Sequence, residues 1–340
     1  MEEQFLVGVV CMTYNQSAFI GDAMNGFTMQ QTNFPYVCCI IDDSSIDGEP
    51  EIIRHYLEDY FDLSDKSVVR HEETDDYVLC YAKHKTNRNC FFAVLWLKYN
   101  HYGKKRKDPY NDRFLKDVKY VALCEGDDYW TDEKKIQKQV DFLERNQDYT
   151  MCFHNAIEHY EYGNKKDRIF SNIKNRDYTG IEIFRNWIVP TASVIIRKEV
   201  FESELYKQVV SNKVFIYRDT PLFVTCVSLG RIRGMHEVMS VYRRNQGSLT
   251  HQNSYEKRKM SACHCLEFYK VFGEKYRKCS KTLCCRAMMK GFLISLFDKE
   301  SPIRYDFMRE SLSISITLTI PALLWAVKKG LYKMIKYISR

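Results

Sequence analysis

Along the first half of the chain, apolar residues fall in short runs that end in polar clusters, and between these runs they recur every three or four positions. Phe5 to Met12 is nearly continuous in apolar character, as expected of a central parallel strand covered on both faces, and Thr13-Tyr14-Asn15-Gln16 ends it. Ile20, Ala23, Met24 and Phe27 then keep helical spacing. Tyr36 to Ile41 predicts a second buried strand, stopped by Asp42-Asp43-Ser44-Ser45. Pro50 suits the first turn of a helix whose apolar face is Ile52, Ile53, Tyr56 and Leu57. A short third strand is predicted over Ser67 to Arg70, a helix over Arg88 to Tyr99, and an exposed basic loop over His101 to Lys116. Tyr120 to Cys124 is again an apolar run of strand length. Thr131 reads as the cap of a helix with Asp132 and Glu133 in its first turn and Ile136, Val140 and Leu143 as its buried stripe. Further strands are predicted over Tyr149 to Phe153, Ala192 to Arg197 and Val238 to Arg243, and helices over Gly180 to Trp187 and Asp219 to Leu229. A strand-like stretch, Phe215 to Tyr217, precedes the second of these helices; Gln246-Gly247-Ser248 reads as a turn, and the chain reads as helical from Ser254 onward.

Strand–helix alternation of this kind predicts an α/β fold, a mostly parallel sheet flanked by helices, with a helical C-terminal extension. In open parallel sheets ligands bind where strand C-termini and helix N-termini converge. Thr13 to Asn15, Asp42-Asp43 and Glu125 to Asp128 are expected along that one rim. Three carboxylates, Glu125, Asp127 and Asp128, crowded at the end of a buried strand repel one another, and a hard divalent cation such as Mg²⁺ or Mn²⁺ relieves the repulsion. Gly126 lets the backbone turn there and leaves room for a bulky group such as a diphosphate. Taken alone, the same acids also suit a solvated surface turn. Neither G-x-G-x-x-G nor G-x-x-x-x-G-K-S/T occurs, so a dinucleotide oxidoreductase and a P-loop NTPase both lose ground.

Composition narrows this further. At 340 residues with 28% charged positions, the chain is an ordinary globular one, able to bury a substantial core. A net charge of +7 fits phosphate-bearing ligands or an anionic membrane surface; with no nucleic-acid module beside the basic loop Lys104 to Lys107, nucleic acid is not expected as a partner. Thirteen cysteines lack metal-ligand spacing, and Cys38, Cys39, Cys124 and Cys152 sit inside apolar strands. They read as buried thiols, and with no leader pattern before Phe5 a cytoplasmic location is expected.

Several landmarks occur in order: V-V-C-M-T-Y-N-Q, I-I-D-D-S-S-I-D-G, N-R-N, L-C-E-G-D-D-Y-W-T-D, R-D-T-P-L-F and V-M-S-V-Y-R-R-N-Q-G-S. As a set they resemble bacterial glycosyltransferase family 2, enzymes of the GT-A type that use nucleotide-diphospho sugars, over about residues 5 to 250. The resemblance implies a Rossmann-like GT-A domain over 1–250, a helical region over 251–340, a divalent metal, and inversion at the anomeric carbon. By position, it implies that Thr13, Asn15, Asp42, Asp43, Arg88 and Asn89 line the nucleotide site, with Asp42 reading the base. Glu125, Asp127 and Asp128 match the acidic metal motif, with Glu where many members have Asp, which leaves Asp127 as the expected ligand. Asp219 matches the general base, and Tyr242, Arg243 and Arg244 match a Tyr-Arg segment near the diphosphate. Asn245 stands where many members have His. Trp130 and Trp187 are read as core or as sugar platforms.

The expectation is therefore a metal-dependent transferase acting in cell-surface polysaccharide synthesis. Its donor is expected to be a UDP-sugar and its acceptor a glycan or lipid-linked glycan. The rival readings are a catalytically silent nucleotide-sugar or glycan binding module of the same fold and a nucleotidyltransferase. The latter should carry a Gly-rich, Arg-containing loop where Thr13 to Gln16 stands. At the C-terminal end, Ser311 to Val327 is uncharged but contains Pro321 and falls short of the ~20 apolar residues of a membrane span. With Lys328, Lys329, Lys333, Lys336 and Arg340 beyond it, this segment reads either as a basic amphipathic helix on the inner leaflet of the cell membrane or as a helix packed on the domain.

Overall fold

Runs of apolar residues that are buried on both faces build the centre of the sheet, and residue alternation divides them between two cores. The computed structural model describes residues 4–66, 68–103, 108–163, 165–245, 255–298 and 302–338, with the side chains of 108, 111 and 331–338 outside the description. In chain order the first elements are β1 (Val7–Thr13), α1 (Ile20–Thr28), β2 (Tyr36–Asp42), α2 (Glu49–Tyr60), β3 (Phe61–Asp62), β4 (Arg70–Glu73), β5 (Tyr77–His84) and β6 (Cys90–Leu97). Then come α3 (Asp108–Leu115), β7 (Tyr120–Leu123), β8 (Tyr129–Trp130), α4 (Lys135–Arg145), β9 (Tyr149–Tyr160), β10 (Arg168–Ile169), β11 (Arg176–Asp177) and α5 (Gly180–Asn186). The last are β12 (Ile195–Arg197), α6 (Lys198–Glu202), α7 (Glu204–Ser211), α8 (Asp219–Leu229), β13 (Arg231–Arg244), α9 (Tyr255–Phe272), α10 (Arg277–Phe297), α11 (Tyr305–Ile314) and α12 (Ile316–Ile338).

The sheet runs β11-β13-β9-β12-β7-β1-β2-β6-β5-β3, with β10 on β9, β4 on β5 and β8 on β13. Its centre, β7-β1-β2-β6, is parallel, while β5 and β12 run antiparallel to their neighbours. Val9, Cys38, Ile40, Phe92 and Val94 pack with Ile20, Met24 and Phe27 of α1, Ile53 of α2, and Ile136 and Val140 of α4. Val37, Cys39, Ile41, Phe91 and Leu95 face the other way, toward Tyr110 and Leu115 of α3 and toward Val118. All thirteen cysteines are free thiols, and most are buried.

Four expectations change. The segment predicted as a helix over Arg88 to Tyr99 is instead β6, with all eight residues buried. An apolar run with no polar face cannot lie as a surface helix, and its partner β5, missed in the sequence, forms a hairpin with it. The third strand is β4, beginning at Arg70; Ser67 lies outside the described residues. No strand forms over Phe215 to Tyr217. Of the predicted basic loop, 108–115 is helix α3, while Lys104 to Lys107 and the turn Gln246-Gly247-Ser248 lie outside the described residues.

The chain divides into two compact units. The first comprises Met1–Thr179, Ile188–Ser203 and Leu229–Gln246 and holds the sheet. The second takes Gly180–Trp187 and Glu204–Ser228 together with Gly247–Arg340, so it reaches back across the boundary expected at 250. The reason is apolar packing: Phe184 of α5 stacks on Phe268 of α9 at 3.8 Å, and Phe215 meets the same ring edge-on.

Lys135 at the start of α4 gives the first unit a measurable pH signature. It is fully buried, with Nζ 4.0 Å from the centre of the Trp130 ring, and Nζ meets no acceptor among the described residues. Burial pushes its pKa down to about 7. The unfolded chain keeps that proton up to ~10.4, so between these values the unfolded state binds more protons and stability rises with pH. Below pH 7 the cost is present in full. Urea unfolding across this range is expected to show a gain of about 1 kcal/mol per pH unit that Lys135→Met lacks, with the variant more stable at low pH. Equal slopes in the two proteins would show that Lys135 is not the titrating group.

Candidate functional site

The parallel strands of the first unit end together. Thr13 and Asp42 are register partners at the C-termini of β1 and β2, and Asp43 N–H donates to the Thr13 carbonyl at 3.0 Å. Beyond β7, the chain stays beside β1, with Gly126 N–H donating to the Met12 carbonyl at 3.1 Å. This brings Thr13, Asn15, Asp42, Asp43, Glu125, Asp127 and Asp128 to one edge, as expected for an open parallel sheet.

Two loops on this edge are laced together. Thr13 Oγ1 donates to Glu49 Oε1, while the other Glu49 oxygen accepts from Gln16 N–H at 2.9 Å and Ser45 Oγ at 2.7 Å. Asn15, at a left-handed φ of 52° that Asn tolerates, donates its N–H to Ser45 Oγ and accepts from Ile46 N–H, both within 2.9 Å. Glu49 is fully buried at the N-terminus of α2, a place that favours an acid, yet burial still raises its pKa. The sequence reading did not single it out; its place in the first turn after Gly48 is the signal that could have. Asp42 is buried with Oδ1 accepting from Ser45 N–H, and burial raises its pKa. Asp43 is turned to a structural task, accepting the His101 N–H at 2.8 Å.

Gly126 has a different role from the one expected. A Cβ there would come within 2.4 Å of Thr13 Oγ1 and 2.6 Å of Gln16 Oε1, so the space it leaves is filled by Thr13 and Gln16. The glycine permits the acid loop to lie against the β1 loop.

The acids themselves differ. Glu125 is exposed, Asp127 half-buried and Asp128 buried. Asp128 Oδ1 accepts the Arg243 N–H at 2.8 Å, while its Oδ2 is buried and has no partner among the described residues. Asp127 Oδ2 accepts from Asn245 Nδ2 at 2.8 Å. Burial foremost, and for Asp128 then its neighbour Asp127, pushes both carboxyls above the usual range. An unpartnered, buried carboxylate oxygen beside a second carboxylate fits a hard divalent cation that keeps waters and phosphate oxygens among its ligands. Among the described residues no group of three or more His, Cys, Asp or Glu is placed to hold a metal ion, so Asp127 and Asp128 would need water or substrate oxygens as further ligands.

Arg243 holds this corner through its main chain. Its guanidinium is 6% exposed and bonds Asp22 at 2.7 Å and Glu161 at 3.1 Å, between the rings of Phe19 and Tyr129. Neither Asp22 nor Glu161 carried a sequence signal, since each finds Arg243 only in the fold. Arg244 pairs with Glu158 at 2.8 Å.

Arg88 and Asn89 do not join the site. They lie in the β5–β6 turn, just before Cys90, which pairs with Tyr36 at the beginning of β2. That is the opposite edge of the sheet, a strand length away from Asp42. Asn89 is structural there, donating to the Thr32 carbonyl at 2.6 Å and accepting from Tyr36 N–H at 2.8 Å. Trp130 is core, its indole N–H bonded to the Ala192 carbonyl.

Asp219 belongs to the second unit and opens α8. Its Oδ2 accepts from Trp187 Nε1 at 2.7 Å and its Oδ1 from Thr220 N–H at 2.8 Å, which fixes the carboxylate's orientation.

No protein-family profile matches the chain. Uncharacterized proteins of Mycobacterium bovis and Mycobacterium tuberculosis are 30% identical over 253 residues, 74% of this chain. The chain spans about 63% of the length of these relatives. Among solved structures, S. aureus TarS in complex with UDP-GlcNAc matches with a TM-score of 0.55 at 14% identity, covering 94% of this chain and 79% of that one. A mannosyltransferase from Pyrobaculum calidifontis in complex with GDP-Man and Mn²⁺ matches at 0.50 and 11% identity, covering 98% and 88%. The fold is the GT-A fold of glycosyltransferases: a central sheet flanked by helices with a helical C-terminal part.

Proposed function

We propose that the protein is a glycosyltransferase that moves a sugar from a nucleoside-diphosphate sugar to an acceptor hydroxyl. The observation that carries this reading is the acid pair after β7, Asp127 and Asp128, at the C-terminal edge of the sheet, with Asp128 Oδ2 buried and without a partner among the described residues. Neighbours of the same fold bind UDP-GlcNAc, and GDP-Man with Mn²⁺, which supports this donor class. Asp127 is the metal ligand in this reading, with Asp128 beside it, and Mn²⁺ or Mg²⁺ bound there would offset the charge of the diphosphate and of the leaving nucleoside diphosphate. Thr13, Asn15 and Asp42 shape the nucleotide end, through loops that Glu49 holds in place. Glu125, exposed at the start of the acid loop, is assigned to the nucleotide sugar with them.

Asp219 is assigned to the acceptor. Its carboxylate takes the proton of the attacking hydroxyl as the bond from the anomeric carbon to the diphosphate breaks, and direct displacement of this kind inverts that carbon. A UDP-sugar donor and a glycan or lipid-linked glycan acceptor of a cell-surface polysaccharide complete the proposal on the sequence resemblance to glycosyltransferase family 2, and a cytoplasmic site of action on the free, mostly buried cysteines. A screen of nucleotide sugars with Mn²⁺ or Mg²⁺ tests it. Thermal stabilisation and slow donor hydrolysis are expected with one donor, and no response to any donor would contradict the transferase reading.

A further inference from the structure

Helix α12 shows two faces. Ala322 and Ala326 are buried in the second unit's core with Cys284, Cys285, Met288 and Met289 of α10, and Thr319, also buried, hydrogen-bonds Ser311 at 2.8 Å. On another side, Ile316, Ile320, Leu324 and Val327 are 65%, 59%, 65% and 38% exposed. Their spacing of four, four and three residues places them in one stripe about 17 Å long. The spacing continues in the sequence through Leu331, Met334 and Ile338, which lie in α12 with side chains outside the description. Such a row of large apolar groups on a solvent face marks a docking surface.

Charge selects the occupant. From Ser311 to Arg340 there are five cations, Lys328, Lys329, Lys333, Lys336 and Arg340, and no acid. Lys328 and Lys329 are exposed immediately beyond the stripe. A second copy docking on this face would set like charges against like, although the spacing alone would suit a helix pair. An anionic lipid surface matches both the apolar row and the cations. Spanning is not available: α11 ends at Ile314, Ser315 is extended, and no helix among the described residues is long and apolar enough to cross a membrane.

We infer that the exposed stripe of α12 is a membrane-surface binding site, lying in the headgroup region of an anionic bilayer with Lys328 and Lys329 against lipid phosphates. The inference is independent of the transferase reading, since it uses no residue of the acid loop.

The test is flotation of the full chain with phosphatidylcholine vesicles with or without about 30% phosphatidylglycerol, at about 0.05 M and about 0.5 M salt. Binding is expected to the anionic vesicles at low salt and to fall at least ~10-fold at high salt. Lys328→Ala with Lys329→Ala should weaken it by ~25-fold, about fivefold per cation. Ile320→Gln with Leu324→Gln should weaken it by at least ~10-fold. These four side chains are exposed, so unchanged melting of both variants is expected and confirms that they fold. Absence of binding at low salt, equal binding to neutral vesicles, or indifference to the stripe substitutions overturns the inference. Sedimentation showing self-association that Leu324→Gln abolishes would give the face to a second copy instead.

Discussion

Asp219→Asn is expected to lower kcat by ~10²-fold or more while leaving the donor dissociation constant nearly unchanged. A sugar hydroxyl is a poor nucleophile at neutral pH, and the base that takes its proton contributes only as the hydroxyl attacks. Asn keeps the shape and one acceptor oxygen, so the Trp187 indole N–H or the Thr220 N–H can still be met and α8 can still start there. What Asn lacks is basicity. Trp187→Phe is the companion variant: it removes the donor that orients the carboxylate but leaves the carboxylate, and a smaller loss is expected. Steady-state turnover beside equilibrium donor binding separates the outcomes. Equal loss of donor affinity would make Asp219 a binding residue, and near-normal turnover would leave it a helix start.

The second large effect is expected from Asp127→Ala. Donor binding in the presence of Mn²⁺ should fall by more than ~100-fold, since a direct ligand contributes more than the outer partners of a metal site. Stability should respond in the opposite sense. Without metal, Asp127 and Asp128 both meet the cost of burial, and the charge of Asp127 further raises the proton affinity of Asp128. Removing one relieves that strain, at the cost of the Asn245 hydrogen bond. The metal-free melting temperature is therefore expected not to fall. A destabilised variant with donor affinity intact would make Asp127 a structural residue.

The acid loop was legible in the sequence because its signal is local: an apolar strand followed at once by carboxylates marks a strand end, and strand ends of a parallel sheet share a rim. Thr13 and Asp42 were legible for the same reason, and the structure pairs them in register. Arg88 and Asn89 were put at the nucleotide site by the resemblance alone, and nothing local opposed it, because the apolar run Cys90–Leu97 has no visible period and strand and helix could not be told apart. Once that run is β6, paired with β5, the turn that carries Arg88 and Asn89 falls at the opposite edge. Asp22, Glu161 and the bond that Asn245 makes were illegible, whereas Glu49 carried the local signal of a first-turn acid after Gly48. Asp22 bonds Arg243 across 221 positions and Asn245 bonds Asp127 across 118, and no local pattern encodes such pairs. The reach of the second unit back to Gly180–Trp187 was hidden likewise, because it depends on Phe184 finding Phe268.

The proposed transfer depends on a metal-dependent nucleotide-sugar site at Asp127 and Asp128. Calorimetric titration of the wild-type chain with UDP and with the donor selected by screening, once with Mn²⁺ and once with a chelator, tests it most directly. Saturable binding with Mn²⁺ that weakens at least ~100-fold with the chelator, about 2.8 kcal/mol, is the predicted result. Binding of equal strength in both conditions, or none in either, would contradict the account.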